Sequence, residues 1–300
     1  MRNSWGGKQI MMALLVVVML AIAAFSAYKL FSIKDIYDQA NDVYSGLSDQ
    51  YVQRIEDPAK NVEEGQKQEV KPNPDPETGL LRPVFIWDYE SAHAQYPDIV
   101  GYIYQENTEY LSYPVLQGKT NDTYLRHLIT GEYHVAGSIF VDSGFPYALE
   151  SNYCIVYGHN MKNHSMFGSL LNYRDPEYYD DHKYFDIYAK DKHYRYHVFA
   201  VCTSEAEGDV FTYMFDTQED FVNLFESLRA RSDYQINDGL GTITADDHFI
   251  CLSTCTYDLN YSQRYTIIIR RGEEYDDSLF QETVTGTAAE IAEEKTGVLS

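Results

Sequence analysis

Only 2 of the 300 residues are tryptophan and only 4 are cysteine, and basic residues are scarce, 23 Lys and Arg against 46 Asp and Glu. Each shortage excludes something. A net charge of −23 leaves no room for the basic face that nucleic-acid binders carry, so no nucleic acid is expected as a partner. The cysteines, Cys154, Cys202, Cys251 and Cys255, form no Cys-x-x-Cys pair, which argues against a zinc ribbon. Cys251 and Cys255 lie in one strand-like run at a separation of roughly 13 Å, too far for a disulfide within a strand. No loop offers an ordered run of oxygen ligands for calcium, and no metal or other cofactor is expected.

What is abundant is tyrosine, 28 residues within an aromatic content of 15%, which favours β structure and partly wetted surfaces. There is one long apolar run. Gln9 to Tyr28 carries no charge, enough to cross a hydrocarbon core as a helix. Arg2 and Lys8 precede it, so the positive-inside bias predicts a cytoplasmic N-terminus at 1–8 and an anchor over 9–29, with the rest of the chain outside the cell. A cleaved signal peptide is the alternative, because Ala21-Ile22-Ala23 resembles a cleavage site. Helical spacing of apolar residues from Ile33 to Ile55 predicts an amphipathic helix over 30–56. Pro58, Pro72, Pro74 and Pro76 mark a linker over 57–82. A compact domain is expected over 83–275 and an acidic, weakly patterned tail over 276–300.

Within that domain short β-like runs recur at Tyr113–Leu116, Gly137–Val141, Tyr153–Tyr157, Tyr184–Ala189, His193–Cys202, Phe249–Thr254 and Tyr265–Arg271. Lys190-Asp191-Lys192 reads as a hairpin turn between two of them. Helical patches are expected at Asn121–Leu128, Ser165–Tyr173 and Glu219–Arg231, the last with Phe221, Leu224, Phe225 and Leu228 on one face. Many short strands with few helices predict a mostly β fold, a closed barrel with inserted helices.

Three residues stand at the ends of these runs: His159 after Tyr153–Tyr157, Cys255 after Phe249–Thr254, and Arg264 before Tyr265–Arg271. A thiol, an imidazole and a guanidinium are the parts of a cysteine acyl-transfer site. The Leu252-Ser253-Thr254-Cys255 segment resembles the Thr-Leu-x-Thr-Cys signature of sortases, with Cys251 at the first Thr. Tyr157-Gly158-His159-Asn160-Met161, then Met166-Phe167 and Leu170, resembles the histidine region of class B sortases. Ser112–Gly118 with Asn121 and Tyr124-Leu125, Gly137–Asp142, and the helix at 219–231 fit the same class, as does the nine-residue step from Cys255 to Arg264.

The resemblance covers roughly Trp87 to Arg271. It implies an eight-stranded sortase barrel and a cell-wall transpeptidase of Gram-positive bacteria. Such an enzyme cleaves the C-terminal sorting signal of surface proteins through a thioester and passes the acyl group to an amine of a wall precursor or a pilin lysine. It implies Cys255 as nucleophile, His159 as proton carrier and Arg264 as oxyanion support, aided by the backbone N–H of Thr256. Asn121 and Leu125 match positions near the family's sorting-signal pocket. Ser253, on the strand face of Cys255, is expected to contact substrate with Thr254 and Thr256.

His164 is the nearest competing histidine and reads as a loop-surface residue, while Arg270 and Arg271 read as salt-bridge partners and Asp258 as a solvated loop acid. Cys154, Cys202 and Cys251 read as small buried hydrophobes. An L,D-transpeptidase also orders His, Cys and Arg this way, but it expects Gly and Arg where Thr254 and Tyr257 stand. A non-enzymatic surface scaffold would leave the three residues unexplained. In the linker, Asp75-Pro76-Glu77-Thr78-Gly79 carries the Pro-x-Thr-Gly core of many sorting signals, with Asp in place of Leu. Pro, Thr and Gly are common in linkers, so the segment reads as linker; the alternative is a tethered pseudo-substrate, a weak inhibitor or a self-cleavage site between Thr78 and Gly79.

Overall fold

The computed structural model describes residues 7–54, 83–108, 110–205, 207–255 and 263–277. The linker motif at 75–79, Thr256, Asp258 and nearly all of the 276–300 tail lie outside the described residues.

The first described element is helix α1 (Gly7–Tyr51), which is long and apolar enough at its N-terminal end to cross a membrane. Leu14, Val17, Leu20 and Phe25 are exposed along it. The helix stops at Tyr51, short of the expected 56, because Val52–Arg54 (β1) leaves as a strand and pairs antiparallel with Phe85–Trp87 (β2). β-Branched Val52 opposite Trp87 is the kind of cross-strand pair that stabilises such a ribbon. Two compact units divide the chain, Met1–Val43 and Tyr44–Ser300, so the last two turns of α1 belong with the second.

That second unit is built on a closed barrel. After α2 (Tyr89–Gln95) come β3 (Ile99–Tyr104), β4 (Ser112–Leu116), β5 (Ile139–Val141), β6 (Tyr153–Tyr157), α3 (Pro176–Asp181), β7 (Tyr184–Ala189), β8 (Lys192–Glu205), α4 (Gln218–Ala230), β9 (Phe249–Cys255) and β10 (Gln263–Tyr275). Around the barrel the order is β10-β8-β7-β3-β4-β5-β6-β9. β4–β5 and β6–β9 are parallel and the other pairs antiparallel. Closure removes every free strand edge. The central strands read as continuous apolar runs because both faces are covered, as for Ile267-Ile268-Ile269, all fully buried. The hairpin joining β7 to β8 closes over Lys190 and Asp191, with Lys192 already paired to Ala189 and Lys190 at φ 58°.

α4 is the expected helix. Thr217 and Asp220 form a reciprocal capping box at its start, a device of about 1 kcal/mol. Phe221, Phe225 and Leu228 are buried, and Phe225 stacks on Phe249 of β9 at 3.7 Å. Each such burial stabilises by about 1.5–3 kcal/mol. Leu224, expected on the same face, is only half-buried.

The other two helical expectations are corrected. Residues 121–128 form turns, because their backbone groups bond across the following loop and not along a helix: Leu128 N donates to Glu132 O (2.9 Å), Arg126 O accepts from His134 N (2.9 Å), and Tyr124 O from Ser138 N (3.0 Å). In 165–173 only a 3₁₀ turn forms, over Gly168–Arg174. Met166 stands just before it at φ 54°, a conformation no right-handed helix contains.

Candidate active site

The register of three neighbouring strands brings the site together. In the parallel β6–β9 pair, Tyr157 lies opposite Ser253, and Gly158 N continues the ladder to Ser253 O at 3.2 Å. Two residues further come His159, in the loop just past the end of β6, and Cys255, the last residue of β9. In the antiparallel β9–β10 pair, Arg264 lies opposite Cys255. Adjacent strands are about 4.8 Å apart. The backbones of His159, Cys255 and Arg264 therefore stand side by side at one rim of the barrel, with the cysteine in the middle.

His159 is held by its own loop and by a neighbouring one. Gly158 admits the fold-back of that loop: a Cβ there would lie 2.6 Å from the Phe167 ring. Phe167 N then donates to His159 O (3.0 Å), and Met166 N to the Tyr113 hydroxyl (3.0 Å). The imidazole Nε2 is 2.7 Å from Leu125 O. A carbonyl only accepts, so Nε2 carries the proton, and Nδ1 is the basic nitrogen of the neutral ring. Burial pushes the imidazole pKa below its usual 6.5, the Leu125 carbonyl opposes that shift, and the Arg126 charge adds to it. Leu125 is thus a support of the imidazole as well as a wall of the pocket. Gly137, at φ 56°, lets the backbone pass close, since a Cβ there would sit 2.5 Å from Leu125 O.

The arginines sort themselves by partners. Arg270 is saturated: Nε and Nη2 donate to Asp247, and Nη1 to Asp238 (3.2 Å), all with the side chain buried. The Arg271 guanidinium lies over the Tyr194 ring at 4.7 Å. Arg264 is half-buried, donates from Nη1 to Gln263 O (3.0 Å), and lines a cavity.

That cavity, of about 240 Å³, is walled by Asn121, Leu125, His159, Ser253, Thr254 and Arg264 among others. Five expected site residues with described side chains thus meet His159 in one place. The Ser253 hydroxyl is buried in this wall with no hydrogen-bond partner among the described residues, a polar group left for a ligand. Thr254 Oγ1 donates to Gly158 O (2.9 Å), tying the strand that bears Cys255 to the turn before His159. Sequence reasoning missed Phe140, Phe211 and Asp122 as walls. Nothing local marks them: they converge from a short strand, a 3₁₀ turn and a loop. Tyr157, also a wall, had the signal of standing directly before Gly158-His159.

Cys154, Cys202 and Cys251 are buried, as expected of small core residues. Burial alone pushes the Cys154 thiol well above its normal range, dominates the same shift at Cys251, and pushes Cys202 up to about 12. None is a nucleophile at neutral pH, since the thiolate is the reactive form. Among the described residues no group of three or more His, Cys, Asp or Glu side chains is arranged to hold a metal.

Known proteins resemble this chain in sequence and fold. The sortase domain model matches residues 105–271. Sortase B of Listeria monocytogenes is 32% identical over 171 residues, 57% of this chain and 68% of the relative. Sortase B of Staphylococcus aureus is 31% identical over 167 residues, 56% of this chain and 67% of the relative. Among solved structures, a Staphylococcus aureus sortase B–substrate complex superposes with a TM-score of 0.56 at 28% identity, covering 62% of this chain and 85% of the other. Sortase B from B. anthracis in complex with AAEK2 gives 0.61 at 25% identity, covering 79% and 97%.

Proposed function

This chain belongs to the sortase family, as a class B cysteine transpeptidase, and on that premise we propose that it cleaves a C-terminal sorting signal of surface proteins through a thioester and passes the acyl group to an amine. The observation that carries this reading is the register that aligns His159, Cys255 and Arg264 at the rim of one cavity.

In the first half-reaction the Cys255 sulfur attacks the scissile carbonyl carbon. Nδ1 of His159, the free nitrogen of the neutral ring, takes the thiol proton and then gives it to the departing amine as the C–N bond breaks. Arg264 and the backbone N–H of Thr256 hold the oxygen while it is negative. In the second half-reaction an incoming amine, of a wall precursor or a pilin lysine, attacks the thioester. Its proton passes through His159 to the leaving sulfur. Asn121, Leu125, Ser253 and Thr254 hold the donor peptide, and the unpaired Ser253 hydroxyl gains a partner when it binds.

We assign the apolar part of α1, residues 9–29, to the membrane, with the N-terminus inside, the stretch to 56 and the 57–82 linker as a tether, and the 83–275 domain outside the cell. The basic Arg2 and Lys8 before the uncharged run support this orientation. Protease treatment of intact cells tests it: release of the domain is expected, and a protected domain contradicts it. For the reaction, the test is incubation of the enzyme with sorting-signal peptides and an amine acceptor. The expected product is the ligated peptide, absent with Cys255→Ala; hydrolysis or no reaction at all contradicts the reading.

A further inference from the structure

Asp142, the residue after β5, is 1% exposed and does not line the cavity, yet its carboxylate collects three side-chain donors from segments that do, and one backbone donor from its own loop. Oδ2 accepts from Asn121 Nδ2 (2.8 Å), the Tyr157 hydroxyl (3.0 Å) and the Tyr213 hydroxyl (2.9 Å), and Oδ1 accepts from Gly144 N (2.8 Å). Asn121 and Tyr157 are cavity walls, and Tyr213 stands two residues after a third wall, Phe211. Tyr213 also stacks on Phe145 at 5.3 Å. One carboxylate therefore buckles the 121–125 turn, the end of β6 and the connection from β8 to α4 around the mouth of the pocket.

The chemistry of the buckle is directional. A carboxylate only accepts, so both phenols must donate inward. Burial, reinforced at Tyr157 by the neighbouring Asp142 charge, keeps both phenols protonated, with pKa values above the ordinary range. Asn121 is fixed as well: its Nδ2 faces Asp142, and its Oδ1 accepts from Ser143 N (2.8 Å). Thr254 spends its proton on Gly158 O. What Tyr157 and Thr254 retain toward a bound chain is oxygen lone pairs, and Asn121 retains one N–H and one lone pair.

We propose that Asp142 is a positioning residue that fixes the hydrogen-bond polarity of this pocket wall, turning it into an acceptor surface for the N–H groups of an extended donor peptide. It acts through Asn121 and Tyr157 and touches no reacting atom. The proposal rests on the cavity being the peptide site of the transpeptidase.

The test uses the full chain in a Cys255→Ala background, so that binding is read apart from chemistry. A fluorescent peptide pool with a Pro-x-Thr-Gly core is passed over the immobilised protein, and the retained fraction is measured. Asp142→Asn, isosteric but able to donate, is expected to retain the pool about tenfold less well while keeping its thermal midpoint within a few degrees. In otherwise native enzyme the same change raises KM and leaves kcat within about threefold. Unchanged retention in Asp142→Asn would overturn the proposal, as would a loss of kcat with KM unchanged, which a merely structural role would give. If Asp142→Asn does not fold, Tyr213→Phe carries the test: Tyr213 is not itself a wall of the cavity, and a threefold or larger loss of retention is expected, no loss contradicting the idea. Failure of the functional reading shows separately, as wild-type enzyme that forms no acyl-enzyme with the same pool.

Discussion

Arg264 sits directly opposite Cys255 in the antiparallel register of β9 and β10, one strand spacing away. The ladder fixes the Arg264 backbone beside Cys255, the placement that the proposed oxyanion role calls for. Arg264→Ala is expected to lower kcat/KM by about 10²–10³, the scale for losing one oxyanion donor. Arg264→Lys should recover little, because an ammonium lacks the planar fork of donors. Steady-state kinetics on a sorting peptide checks this; near-wild-type activity in Arg264→Ala contradicts the assignment.

His159 predicts a pH profile. Its pKa is depressed, mainly by burial, so the neutral base persists to lower pH than in a free imidazole. Activity that needs that base falls as pH drops, with the acid limb of kcat/KM centred below 6.5. The sign is the same for stability: the neutral ring favoured by the fold contributes fully above 6.5 and loses its contribution as pH falls through the folded value. An acid limb centred at or above 6.5 would contradict the burial argument.

The buried cysteines predict selective labelling. At pH 8 the native protein should take up one equivalent of a small alkylating reagent, and Cys255→Ala none, because Cys154, Cys202 and Cys251 are buried and held as thiols. Intact mass measurement reads the count. Uptake of two or more equivalents by folded protein would place a second reactive thiol on the surface.

The ends of the sequence motifs were legible, and so was the barrel. Strand runs bounded by turns match seven of the ten strands of the described residues, because a strand depends on local pattern, and the motif segments around His159 and Arg264 pointed to the walls of the candidate cavity. What escaped depends on distant partners. β1 is three residues long and finds β2 across 30 residues of intervening chain. β3, with Gly101 amid its apolar residues, is readable as a strand only once Tyr188 O is seen against that glycine, where a Cβ would collide. The 121–128 segment has helical spacing but bonds its backbone across the following loop. Asp142 looked like the last letter of a strand motif, since nothing near it in sequence shows that Tyr213 arrives 71 residues later.

Two residues outside the rim predict stability effects. The Tyr44 hydroxyl donates to Ser138 Oγ (2.8 Å) and approaches Gly137 O at 3.0 Å, joining the end of α1 to the backbone next to Leu125. Tyr44→Phe should cost about 1–2 kcal/mol, the value of a buried hydrogen bond whose acceptors are left unpaired. Urea unfolding measures it, and an unchanged midpoint would contradict a docked helix end.

Arg270 is the stronger case. Arg270→Met takes the guanidinium from Asp247 and leaves buried Asp238 with Arg229 alone, at 3.6 Å. A loss of about 3–5 kcal/mol is expected. A variant as stable as wild type would mean that the network is dispensable.

The most direct test of the central claim is the intact mass of the enzyme mixed with a sorting-signal peptide before any amine is added. The account predicts a single adduct, equal to the acyl fragment, mapped to Cys255, released by an added amine with formation of the ligated product, and missing from Cys255→Ala. An adduct on another residue, or amine ligation that proceeds in Cys255→Ala, would contradict it.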